Sequence, residues 1–373
     1  MCPEHSEKIE FIQISRAFSA FSVMVYHIFF FSVSYYSNIY PYWFESVSSV
    51  GYIGVDFFFV ISGFVILNAH YDDKSGVSSL VSFSFKRIIR IYPPYLPIAA
   101  TAFFIYYVNP NIGNYPKDNI GALSTFLLIP SLYPTSLIVA WTLIHEMVFY
   151  LIFLTYFISR RFFIAVIGAW VVVIAANAVF SPGLTGNLIF YRFLATINLE
   201  FAFGLICACV WRRLNVGPAV AASLLLGGVI SLAMILSYDV GKHRWLFAIP
   251  FSLILLGGCY LEKTGALNVP RLLLLLGDAS YAIYLIHLPL ISVMFRAVPA
   301  INRHTAGFNP TTEWAMTASA VIITGILASV MYHKLYERPI IHFLHRKTSS
   351  FSGSYRRHRN DAVDPSLSIN AKH

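Results

Sequence analysis

Residues 50–68 read VGYIGVDFFFVISGFVILN. At ~1.5 Å per residue, a helix over this stretch is roughly 28 Å long, close to the ~30 Å hydrocarbon layer of a bilayer. The run predicts a membrane-spanning helix, and its single acid, Asp56, then needs a reason to be there. Runs of the same kind recur near 11–33, 91–108, 137–158, 162–180, 190–211, 218–237, 245–261, 272–296 and 314–336. The run 119–133 is shorter and is interrupted by Pro130 and Pro134, which fits an interfacial or re-entrant piece better than a crossing.

Composition agrees. Of 373 residues, 57% are hydrophobic and only 12% charged, about half the charged fraction a water-soluble surface needs. The expected fold is therefore an all-α integral membrane protein with about ten transmembrane helices. The first apolar run follows acidic residues and has no small-residue cleavage site after it, so it reads as a retained span and not a signal peptide. Cys2, Cys207, Cys209 and Cys259 have neither the number nor the placement of a disulfide framework or a zinc site. No metal ligand set is expected.

Lys and Arg set the orientation. With the amino terminus inside, the inside segments hold 18 basic residues and the outside loops 5, which are Lys117, Lys242, Arg244, Arg296 and Arg303. An even number of spans then places both termini in the cytoplasm, with the chain multi-pass in a bacterial inner membrane. The net charge of +9 reflects this bias, and no motif supports a nucleic-acid partner. Residues 1–344 form the expected transmembrane domain. Residues 345–373 are polar and basic without an apolar period, which predicts a disordered cytoplasmic tail resting near anionic lipid headgroups. The absence of an internal repeat disfavours repeat-built transporters.

A charge at mid-bilayer costs on the order of 3 kcal/mol, so each one needs a partner, a wet cavity or a chemical task. The candidates are His27, Asp56, His145, Glu146, Arg192, Glu200, Asp278 and His287. Eleven positions separate Arg16 from His27, close to three turns, so both face nearly the same way about 16 Å apart. One groove can run from a cationic mouth at Arg16 to His27 at depth. Taken alone, an intramembrane imidazole is more often a helix-to-helix hydrogen bond than a base; the basic entrance on the same face favours the base. Arg87 and Arg90 lie three apart at a span end, where positive-inside bias alone would put arginines, but where a guanidinium pair also suits a phosphorylated ligand. In VAWTLIHEMVFYLIF, Trp141, Glu146, Phe149 and Tyr150 share one helix, and Glu146 reaches a depth compatible with His27. A carboxylate there can orient the imidazole and stabilise its cation. His145 points about 100° away from Glu146 and is given no role.

These pieces, in this order, resemble the acyltransferase 3 family of integral membrane O-acyltransferases. The matching segments are SRAFSAFSVMVYH with Arg16 and His27, GYIGVDFFFVISGFVI with Asp56, RIIRIYP with Arg87 and Arg90, AWTLIHEMVFY with Trp141 and Glu146, LGDASYAIYLIHLP with Ser280, Tyr281, Tyr284 and His287, and YERP at 336–339. They spread over residues 10 to 340. The resemblance implies a ten-helix bundle that takes an acyl group, most often acetyl from acetyl-CoA, to a sugar hydroxyl of a surface or secreted glycan or of a lipid-linked sugar. It implies that Arg16 and His27 are essential and that Arg87 and Arg90 serve acyl-CoA. The catalytic set is then His27, Glu146 and Arg16, and the substrate set Arg87, Arg90, Trp141, Tyr281, His287 and Asp56. Family members with a fused esterase-like domain are longer, so here one protein would both move and transfer the acyl group, or a separate chain would assist. Two competing readings are a transporter or flippase of a lipid-linked sugar and an O-acyltransferase of a small molecule such as a macrolide.

Overall fold

Backbone N–H and C=O groups find no water in hydrocarbon, and a helix satisfies them within the segment itself. The computed structural model describes residues 9–37, 39–108, 121–131, 133–180, 188–238, 241–304 and 307–347, and among them there is no strand. The long elements are α1 (Glu10–Tyr36), α3 (Ile53–His70) led in by α2 (Tyr42–Ser48), α4 (Val77–Val108), α6 (Trp141–Phe153) with α7 (Thr155–Ile158), and α8 (Arg160–Phe180). They continue with α11 (Pro218–Leu236), α12 (Ala248–Lys263), α14 (Ser280–His304) preceded by α13 (Arg271–Asp278), and α15 (Pro310–Tyr332). Nine helices among the described residues are long and apolar enough to cross a membrane.

The sixth run, 190–211, departs from the expectation of a continuous span. It is broken into α9 (Leu188–Leu194) and α10 (Asn198–Arg213). The break is satisfied from within. Asn198 Nδ2 donates to the carbonyls of Arg192 and Phe193 at 3.0 and 3.1 Å, and Trp170 Nε1 also donates to Phe193 O at 2.8 Å. Irregular backbone at membrane depth is tolerated where such partners exist. Between 121 and 131 lies only the short α5 (Ala122–Leu127). The last helix runs on to Lys347, three residues into the stretch expected to be tail; 348–373 lie outside the described residues.

α3 is the most enclosed span, and α8 and α11 are the least, presenting side chains such as Val172 and Leu226 outward. Glycine explains why α3 sits at the centre. A Cβ at Gly63 would lie 2.2 Å from Phe201 O, and one at Gly204 would lie 2.1 Å from Val60 O, so α3 and α10 touch backbone to backbone.

One end of the bundle holds Arg160, Arg212 and Lys263. There Glu262 accepts the first N–H groups of α1, those of Glu10 and Phe11, at 2.7 Å each. This satisfies two orphan donors at a positive helix end. At the same end Arg212 bonds Asn68 at the close of α3, Gly76 N donates to Phe157 O, and Lys263 bonds Asn215. His345, near the end of the last helix, lies in the field of Lys86 of α4.

Candidate active site

Six elements, among them α10 with Phe201, line a cavity whose empty space, including the solvent at its mouth, is about 1040 Å³. α1 contributes Arg16; α3 contributes Phe58, Phe59 and Ser62; α4 contributes Arg87 and Arg90; α6 contributes Thr142, Glu146 and Tyr150; α14 contributes Ser280, Tyr281 and Tyr284. Helical spacing accounts for the convergence. Arg87 and Arg90 are i,i+3, and Thr142, Glu146 and Tyr150 are successive i,i+4 neighbours, so each set shares a face.

Arg87 is held from two sides. Its Nη2 lies 3.3 Å from His70 Nε2, whose Nδ1 is bonded to Asp73 at 2.7 Å, and its guanidinium lies over the rings of Phe83 and Tyr150 at 5.3 and 5.4 Å. Its buried Nε has no partner among the described residues. Arg90 lies 5.9 Å from the Tyr281 ring and pairs with Glu337. Arg16 lies in the field of Glu337, Asp278 and Glu146. Tyr150 OH donates a short hydrogen bond to Glu146. Three guanidiniums thus line one space with donors left over, an arrangement matched to phosphate oxygens or another multiply charged anion.

His27 does not line this cavity. Its Nδ1 lies 2.9 Å from Val23 O, and His287 Nδ1 lies 3.0 Å from Ile283 O. A carbonyl only accepts, so both Nδ1 atoms carry protons and both Nε2 atoms carry lone pairs. His287 Nε2 faces His27 Nδ1 at 3.2 Å. The His27 proton is therefore shared between Val23 O and His287 Nε2, while His27 Nε2 has no hydrogen-bond partner among the described residues. This differs from the expected arrangement: the group that meets His27 is His287, and Glu146 faces the arginines. The reason is that α14 packs against α1 between the two sites, with Tyr284 as the dividing side chain. Tyr284 lines the cavity, bonds Thr142 Oγ1 at 2.8 Å, and stands 5.8 Å ring to ring from His287.

Two expected site residues lie elsewhere. Asp56, fully buried, pairs with Arg244 Nη2 at 2.7 Å, beside Glu200 and away from the cavity wall. Trp141 stands edge-on to His145 at 5.7 Å and faces the Arg192 guanidinium at 6.0 Å. His145 closes a structural cluster in which its Nδ1 donates to Asn198 Oδ1 at 3.0 Å and its Nε2 faces Arg192 Nη1 at 3.3 Å. Tyr281, by contrast, is in the cavity wall. The partners Glu337, Arg244, His70 and Asn198 went unassigned at the level of sequence. A buried acid's need for a cation was the one available signal for Arg244, which lies 188 positions from Asp56.

The fold and this site define a multi-pass helical membrane protein whose polar interior combines an arginine-lined cavity with a histidine pair. Residues 9–333 match the acyltransferase domain family, and the chain belongs to that family. Among its relatives is the exopolysaccharide production protein ExoZ of Rhizobium meliloti (strain 1021), 29% identical over 310 residues covering 79% of this chain and 90% of that one. The acyltransferase MdmB of Streptomyces mycarofaciens is 26% identical over 338 residues, covering 81% and 84%. No solved structure matches the chain. The protein is a membrane acyltransferase by family.

Proposed function

We propose that this acyltransferase takes an acetyl group from acetyl-CoA at the arginine-lined cavity and transfers it to a sugar hydroxyl of a surface or secreted glycan or its lipid-linked precursor. The basic end of the bundle faces the cytoplasm, where acetyl-CoA is made, and the membrane is the bacterial inner membrane. The observation that carries this reading is a cavity lined by three guanidiniums with, behind its Tyr284 wall, a histidine pair that leaves one lone-pair nitrogen of His27 unbonded among the described residues. The relative named for exopolysaccharide production supports the choice of a polysaccharide acceptor.

In the proposed step the sugar hydroxyl gives its proton to His27 Nε2 as its oxygen attacks the thioester carbonyl. The C–S bond breaks, the new C–O bond remains, and the imidazolium returns the proton to the departing thiolate. The products are the acetyl ester and free CoA. Arg16, Arg87 and Arg90 hold the phosphates of the donor, and His287 keeps His27 in the tautomer that exposes Nε2.

The test is paired. Glycans from a deletion strain and its complemented parent are compared by mass spectrometry and NMR, and purified protein is assayed for CoA release from acetyl-CoA. Loss of one acetyl mass at one hydroxyl, with CoA release in vitro, is the expected result. CoA release without any glycan change would move the acceptor to a small molecule. Protein that never consumes acetyl-CoA with glycan present would favour transport of a lipid-linked sugar.

A further inference from the structure

We infer that Glu337 is a positioning residue for the acyl-donor site, holding Arg90 in place from outside the cavity; the inference rests on the donor reading above. After α15 the helix passes through a π-helical turn at His333–Glu337 and then resumes. Such turns insert one extra residue and re-aim the side chains that follow, and they are frequent at functional sites. The effect here is specific to one residue. Lys334, Leu335, Tyr336, Arg338 and Pro339 are exposed, whereas Glu337 is wholly buried.

The turn is docked on α4 about one helical turn beyond Arg90. Tyr332 OH donates to Pro94 O at 2.7 Å and Tyr336 OH to Pro93 O at 3.2 Å. Pro97 has no N–H to offer the carbonyl four residues before it, so the Pro93 oxygen is free to accept from Tyr336. With its backbone fixed this way, Glu337 divides its two oxygens. Oε2 accepts from His333 Nδ1 at 2.9 Å, and Oε1 lies 3.5 Å from Arg90 Nη1.

A buried carboxylate is weak as a source of stability, because desolvation offsets the attraction. Its value here is geometric. Three like charges around one cavity repel one another, and Arg90 has a long, flexible stem. Glu337 on one side and the Tyr281 ring on another fix its guanidinium and leave its remaining N–H groups for an anionic ligand. The field of Glu337 also reaches Arg16, so one carboxylate steadies two of the three cations.

The test is equilibrium binding of radiolabelled acetyl-CoA to detergent-purified full-length protein. Wild type, Glu337→Gln, Glu337→Asp, Arg90→Ala and the Arg90→Ala/Glu337→Gln double variant are compared, with thermal unfolding measured on each. Glu337→Gln is expected to raise Kd about tenfold, and Glu337→Asp to recover part of the affinity. The double variant should bind within about twofold of Arg90→Ala, since Glu337 acts through Arg90. If the two losses multiply, or if affinity falls only in step with the folded fraction, the inference is overturned. Wild type that binds acetyl-CoA with Glu337→Gln unchanged would sink the inference alone. Wild type that does not bind acetyl-CoA would sink the donor reading and this inference with it.

Discussion

Two histidine clusters lie in the core of this protein, and they differ in what remains unsatisfied. At His145 both ring nitrogens are engaged, Nδ1 by Asn198 and Nε2 by Arg192, and the cluster closes the break between α9 and α10. At His27 one nitrogen is bonded and shared while Nε2 is left open. A satisfied polar network rigidifies a fold, whereas an unsatisfied lone pair is available for chemistry. The contrast teaches that two intramembrane imidazoles can differ in their number of open nitrogens, none at His145 and one at His27, and it is this difference that the proposed mechanism uses.

The largest effect should come from the open site. His27→Ala removes the proposed base and should lower acetyl transfer by roughly 10² to 10⁴, measured as CoA release, with normal protein level in the membrane. A near-wild-type rate would erase the distinction between the two clusters.

His287→Ala should reduce turnover by roughly 10²-fold, because the His27 ring loses the neighbour that fixes it. His287→Gln restores an acceptor and should recover part of the rate. If Gln and Ala behave alike, His287 fills space only.

Next in size is the donor pocket. Arg90→Ala should weaken acetyl-CoA binding about tenfold or more, and Arg90→Lys less, since lysine keeps the charge without the bidentate fork. Equal binding by wild type and the Arg87→Ala/Arg90→Ala double variant would return both to the topological bias.

The smallest effect on rate belongs to the closed cluster. His145→Ala should leave turnover within about twofold yet cost about 1 to 3 kcal/mol of stability, because Asn198 and Arg192 lose a partner in the core. A lowered unfolding temperature in detergent with unchanged activity is the expected pair of readings. A large rate loss without destabilisation would make His145 the better base and invert the comparison.

The amino-acid sequence by itself determined the all-helical membrane class, the family, and the residues that carry charge into the core. Each of these depends on short-range properties: apolar run length against bilayer thickness, basic residues at run ends, and i,i+3 or i,i+4 spacing on one helix. Arg16, Arg87, Arg90, Glu146 and Tyr281 were legible because spacing along a helix, or a local motif, already marks them. Pairing across helices was decided only by the tertiary structure. His27 meets His287 across 260 positions, Asp56 meets Arg244 across 188, and Arg90 meets Glu337 across 247. No local rule sets which helices touch; that depends on close backbone packing such as Gly63 against α10, on proline-freed carbonyls, and on the π-helical turn that aims one carboxylate inward. The broken sixth run belongs to the same category. Its composition reads as a continuous span, and only partners contributed by Asn198 and Trp170 make the interruption tolerable in an apolar surround.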